Sequence, residues 1–221
     1  MTDAAAPTAA APAPDYFEQL GEDAKHVFPP APAQGAPVEC PCQALARWRA
    51  QNKASITQAL AGQRQMLLDK KAALARWNDA DQAAFQKSFG TTTDAAKATI
   101  AGRIDRMLDL NSKMTVDNFV LADPSKAGRF AFVHRDDMTH TVNIDGEFYD
   151  SPMTGIDSKP GALSHEMSHF TDIGDTFDKF DGYNADKPVY GPDASHLLAQ
   201  TRPDLALQHA DSFEYYLEGA P

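Results

Sequence analysis

Gly161-Ala-Leu-Ser-His-Glu-Met-Ser-His-Phe170 is the stretch on which the reading of this 221-residue chain turns. On a helix, residues four apart share a face, one turn above each other. His165 and His169 can then both reach one zinc ion, while Glu166 points to the metal's open side. There a carboxylate can take a proton from a water held by the metal, which is the chemistry of a hydrolytic zinc site.

The surroundings of the string support this. Leu163, Met167 and Phe170 give the helix an apolar side, so it is expected to be buried. Asp172, Asp175, Asp178, Asp181 and Asp186 come soon enough after it to supply a third ligand. A catalytic zinc takes three protein ligands and keeps a fourth position for water.

Composition sets the bounds. Apolar residues make up 43% of the chain, which suits a globule with its own core. No stretch approaches the roughly 18 unbroken apolar residues of a membrane span, so no membrane insertion is expected. The start, Met1-Thr-Asp-Ala-Ala-Ala-Pro, lacks the basic and apolar regions of a signal peptide. A net charge of −11 argues against nucleic acid or an anionic membrane as partner and weakly favours basic substrates. Cys40 and Cys42 lie too close together to close a useful loop, and two thiols do not complete a tetrahedral metal site. They are read as free thiols where a linker meets the domain. A fold without disulfides suits synthesis in a reducing compartment, and a monomer is expected.

Along the chain, residues 1–42 form an Ala/Pro-rich segment that cannot bury a core and reads as a flexible tether. Residues 43–221 read as one domain, helical to about 112, with the sheet and the metal-bearing part from about 113. Leu45, Trp48, Ile56, Leu60, Leu67 and Leu74 mark a long helix to 77. A short helix then runs through Phe85, Gly90 ends it, and Thr93 opens another carrying Ile100, Ile104 and Leu108. Three β-prone segments, 118–121, 129–134 and 139–144, predict a small sheet. Pro160-Gly161 predicts the end of a loop, with Ala162 starting the motif helix. Two helices, from Asp193 to about Gln200 and from Pro203 to about Glu218, close the chain.

Several linked motifs resemble the aspzincins, the family of deuterolysin and peptidyl-lysine metalloendopeptidase. The resemblance covers about 80–219. It runs through Phe89-Gly90 and the helix after it, Thr154-Gly-Ile-Asp-Ser-Lys-Pro-Gly161, His165 to Phe170, Tyr190-Gly191, and His209-Ala-Asp-Ser-Phe-Glu-Tyr-Tyr216. It implies an α+β, zincin-like fold: helix-rich, with a small antiparallel-edged sheet and a metal-bearing active-site helix. It implies one catalytic Zn²⁺ and an aspartate as third ligand, within a Gly-Thr-x-Asp-x-x-Tyr-Gly segment. Here that segment is interrupted. Thr176-Phe177-Asp178 supplies Thr-x-Asp, but Asp181 stands where the tyrosine is expected, and Tyr190-Gly191 arrives after an apparent insertion of nine residues. Asp178, nine residues after His169, is the preferred ligand; Asp186, or Asp181, is the competing choice.

The resemblance further implies that Glu166 is the general base and Tyr190, with Tyr183 as runner-up, the donor to the oxyanion. Asp211 and Glu214, three apart on the last helix, match the acidic pocket of the lysine-specific branch; deuterolysin-like members lack the glutamate. The implied activity is a zinc endopeptidase that cuts proteins or peptides on the amino side of lysine. The competing reading is a zincin-like binding module, impaired because the insertion displaces the tyrosine. With no classical export signal in view, a bacterial effector or toxin carried out by a specialised secretion machine, with a partner inhibitor, is a further expectation. A substrate strand could pair with an exposed sheet edge at 129–134 or 140–144. His134, His140, His196 and His209 lack ligand spacing and read as structural or exposed.

Overall fold

The apolar spacing between 43 and 77 becomes one helix, α1 (Pro41–Arg76), in the computed structural model, which describes residues 41–121, 129–180, 183 and 188–219. Ile56, Leu67 and Leu74 are buried and Leu60 packs against the core, as the pattern predicts. The side chains of Leu45, Trp48 and Cys42, and all of 1–40, lie outside the described residues.

Capping residues set the bounds of the next two helices. Asn78 and Asp81 cap each other reciprocally (Asp81 N–H to Asn78 Oδ1 at 2.9 Å, Asn78 N–H to Asp81 Oδ2 at 3.1 Å) and open α2 (Asp79–Phe89). Gly90, at φ 69°, closes it in the left-handed conformation, and a Cβ there would collide with the Ala199 carbonyl. Thr93 then caps α3 (Asp94–Lys113), whose Ile100, Ile104 and Met107 are fully buried.

After one 3₁₀ turn (Val116–Asn118) come β1 (Phe119–Leu121), β2 (Ala131–Val133) and β3 (Val142–Ile144). β3 is central. It pairs parallel with β1 (Phe119 opposite Val142) and antiparallel with β2 (Ala131 opposite Ile144). The sheet therefore has an antiparallel edge at β2, and residues 140–144 are not an edge.

A short helix that the sequence pattern does not predict, α4 (Gly146–Asp150), comes after the sheet. α5 (Lys159–Ser168) carries the motif and begins three residues before the expected Ala162. The reason is its cap: Ser158 Oγ accepts the Gly161 N–H at 3.0 Å, and Pro160 fits the first turn, where no N–H is needed. Every residue of α5 is buried. It lies between α1, β2 and the last helix, α8 (Ala210–Glu218). α6 (Pro192–Thr201) and α7 (Pro203–Ala206) precede α8, so the single closing helix expected from Pro203 is broken at 207–209. Among the described residues, no helix is long and apolar enough to cross a membrane.

α5 and α8 meet at Gly161. A Cβ there would collide with the Glu218 carboxylate and lie 2.8 Å from Glu214 Oε1. Glu218 cannot simply swing away, because it accepts from Ser158 N–H (2.9 Å), Ser158 Oγ (2.7 Å) and Asp157 N–H (3.2 Å). Gly161→Ala would gain roughly 1 kcal/mol of helix propensity. It is nevertheless expected to destabilise the fold by about 1–3 kcal/mol, the usual cost of overpacking, read as a lower urea midpoint with unchanged m-value.

Candidate metal centre and acidic cleft

His165 lies in the last turn of α5, and His169 caps it with helical dihedrals (φ −70°, ψ −26°). Their rings therefore lie side by side, edge to face, with centroids 4.9 Å apart. Both face Asp178: His165 Nε2 is 3.3 Å from Asp178 Oδ1, and His169 Nε2 is 3.5 Å from Asp178 Oδ2.

The far side of each ring is also held. His169 Nδ1 donates to the Thr176 carbonyl at 3.0 Å, and Thr176, fully buried, shares a 2.6 Å hydroxyl bond with Ser168. His165 Nδ1 donates to Asp211 Oδ1 at 2.7 Å and lies 3.2 Å from Glu214 Oε2. An acceptor at Nδ1 fixes the proton there and leaves the Nε2 lone pair free for a metal.

The donor set fits zinc. One ligand atom from each of His165, His169 and Asp178 falls within 4.8 Å of the others. Asp178 Oδ1 is buried without a well-formed hydrogen bond, and a cation among these three groups would satisfy it. Two imidazole nitrogens and a carboxylate suit zinc and leave a position open toward the cleft.

The electrostatics match a site built for a cation. Burial pushes the His165 pKa down, but hydrogen bonds to Asp178, Asp211 and Glu214 outweigh it and hold the ring well above an ordinary imidazole. Burial would raise Asp178, yet the two histidines hold it well below the usual carboxylate range. Burial is also the main cause that raises Glu166, helped by the charge of Asp178 and opposed by the two histidines and Arg129. Zinc binding must therefore displace a proton from His165. Affinity is expected to fall as pH drops through that raised value, by up to about tenfold per pH unit for one proton displaced. Titration calorimetry in two buffers of different ionisation enthalpy would count the protons released.

A cleft of about 770 Å³ opens over these groups. The β2 segment Phe130–Val133 forms one wall; Thr176–Lys179 and Tyr190-Gly191 form another; Asp157, Asp211, Glu214 and Tyr215 line its acidic end. Tyr190 donates to Asp178 Oδ2 at 3.0 Å. Tyr183 instead meets Thr201 (3.4 Å) and Arg202, away from the cleft lining. Asp172 pairs with His140 and Asp175 with Arg135, while Asp181 and Asp186 lie outside the described residues. Of the other histidines, His209 is fully buried and caps α8, donating from Nε2 to the Val189 carbonyl at 2.9 Å.

Two features are not legible in the sequence. Asp211 and Glu214 both reach His165, and Asp211 Oδ2 also accepts the Gly191 N–H at 2.7 Å. A spacing of three says that two carboxylates share a face, not what that face touches. Arg103, buried on α3, donates to the carbonyls of Gly174 (3.2 Å) and Leu207 (2.8 Å), and Arg106 to that of Ile173 (2.8 Å). They pin the turn after His169 and the approach to α8; a lone arginine on an apolar helix face carries no signal of its partner carbonyls.

The segment between Asp178 and Tyr190 closes at its neck. Val189 N–H donates to the Asp178 carbonyl at 2.8 Å, so the chain returns to its starting point and delivers Tyr190 beside Asp178.

Residues 74–218 match the family described as lysine-specific metallo-endopeptidase, the aspzincins. The chain is 38% identical over 97 residues to a peptidyl-Lys metalloendopeptidase of Pleurotus ostreatus, covering 44% of this chain and 52% of that one. It is 35% identical over 96 residues to an extracellular protease of Aeromonas hydrophila, covering 43% of this chain and 25% of that one. It thus spans about half, or less, of these relatives' length. A zinc peptidase from Grifola frondosa superposes with a TM-score of 0.63 at 26% identity, over 77% of this chain and 96% of that one. Fold and sequence together define a helix-rich protein with a small mixed sheet, built as that zinc peptidase is. The chain belongs to the aspzincin family.

Proposed function

We propose that the chain is a zinc endopeptidase that hydrolyses peptide bonds on the amino side of lysine. The observation that carries this is the convergence of His165, His169 and Asp178 beside Glu166, at the floor of a cleft with an acidic end. Zinc, held by those three residues, would lower the pKa of a coordinated water and polarise the scissile carbonyl.

The chain's own residues do the rest. The substrate backbone lies along the free edge of β2, which brings the carbonyl to the metal side. Glu166, its pKa raised by burial, takes the proton at its carboxylate and hands it to the leaving amine. Tyr190 turns its hydroxyl from Asp178 to the developing oxyanion. Asp211 and Glu214 keep His165 oriented and face a lysine ammonium. The names of the relatives support lysine and, through the Aeromonas protein, action outside the producing cell. An exported effector is in keeping with this.

The test is a map of new termini. An unstructured protein is incubated with the zinc-loaded chain and with Glu166→Ala, and the products are sequenced by mass spectrometry. New N-termini beginning with lysine, absent in the variant, are expected. Cleavage without that preference would remove the role given to Asp211 and Glu214, and bound zinc without cleavage would favour a binding module.

A further inference from the structure

The acidic end of the cleft is not complete with the two carboxylates already named. A lysine ammonium brings three N–H donors and one charge. Both oxygens of Asp211 are already engaged, Oδ1 by His165 and Oδ2 by the Gly191 N–H. Glu214 turns Oε2 to the same His165 nitrogen, and among the described residues nothing donates to its Oε1. One unengaged oxygen leaves room for a further acceptor among the three donors.

The third carboxylate on this wall is Asp157. It stands in the turn before α5, in the left-handed region at φ 54°, just after Gly155 at φ 98°. Aspartate tolerates that conformation, but at a cost that the surroundings must meet. They meet it through α8. Glu218 Oε2 accepts the Asp157 N–H at 3.2 Å, and Tyr215 Oη donates to Asp157 Oδ1 at 2.9 Å. Both partners sit on the helix that carries Asp211 and Glu214, so the three acidic groups form one rigid set. Oδ2 of Asp157 keeps no partner among the described residues, and the residue is exposed. Burial first, then the charges of Asp211, Glu214 and Asp157, push the Tyr215 phenol above its ordinary range, so its hydroxyl feels the field of all three.

We infer that Asp157 is a specificity-determining residue, supplying with Glu214 the oxygens that bind a lysine ammonium at the position after the cut bond; this rests on the peptidase reading above. Asp211, which also holds His165 and the Tyr190-Gly191 turn, adds its charge to the same pocket. The strained turn 155–157 thereby acquires a purpose, which is to aim one carboxylate into the cleft.

Asp157→Asn keeps the size and the acceptor for Tyr215 but removes the charge. On a lysine peptide its kcat/KM is expected to fall about tenfold, chiefly through KM, as for a lost bond between charged groups. Zinc content and urea midpoint should hold, and a norleucine peptide or norleucinamide inhibition should move far less than its lysine counterpart. Tyr215→Phe leaves the charge but releases the carboxylate, and a fall of about threefold is expected. If both variants stay within twofold of a lysine-specific wild type, or lose lysine and norleucine substrates equally, the inference is overturned. A wild type without lysine preference overturns the peptidase reading itself, and this inference with it.

Discussion

Asp178→Ala is expected to strip the protein of zinc, while Asp186→Ala leaves it loaded. The reasoning is geometric. Two histidines one helical turn apart fix only one edge of a tetrahedron; the third ligand must approach from another part of the chain. Asp178 is the described carboxylate placed against both free Nε2 atoms, at 3.3 and 3.5 Å. Even outer partners of metal ligands are worth about 10–100-fold in affinity, so removal of a direct ligand should cost at least about 100-fold. Dialysis against a weak chelator and then metal analysis gives the answer. Retention by Asp178→Ala with loss in Asp186→Ala would move the ligand into the insertion and undo the assignment. The charge balance has a second consequence. Without Asp178, His165 loses one of the groups that raise its pKa, so the variant's proton release on metal binding should also shrink.

Glu166→Gln is expected to abolish turnover while keeping the metal. Glutamine preserves the volume of a residue only 9% exposed and removes the base. General acid–base assistance contributes about 10²–10⁴-fold to a rate, and a loss in that range should appear in kcat with KM little changed. The pH profile supplies an independent check. Burial favours the protonated form of Glu166 and raises its pKa above that of an ordinary glutamate. The base is competent only above that value, so wild-type activity should fall as pH drops through it, at higher pH than for an exposed carboxylate. The residual activity of Glu166→Gln should lack that acid limb. Equal activity in both proteins would remove Glu166 from the reaction.

How much of the molecule is legible in its residues differs by level. α1, α2 and α3 come directly from apolar spacing and from Asn78, Gly90 and Thr93, because capping and burial are local choices written in single residues. The expected start of α5 falls three residues late because Pro160-Gly161 resembles a loop end; Pro160 is in fact a first-turn residue behind the Ser158 cap. The expected closing helix is too long because the chain stops at 207–209 to bridge Phe177, a pairing between distant segments that no local pattern announces. In the cleft, His165, Glu166 and His169 are legible from helical period alone. Asp178 and Tyr190 need the family's pattern, since loop residues have no period. The double duty of Asp211 is invisible in the sequence: it depends on the α5–α8 contact, whose close approach at residue 161 leaves no room for a Cβ.

The hydrogen bond between Asp178 and Val189 has a reach beyond the site it frames. Its two ends sit side by side, and His209 anchors the returning strand from beneath. Insertions are tolerated where chain enters and leaves at one point, so a change of length between the two ends is expected to leave Asp178 and Tyr190 in place. The groups gathered round His165 and His169 are thereby uncoupled from the length of the outer loop at a single doorway on the rim of the cleft.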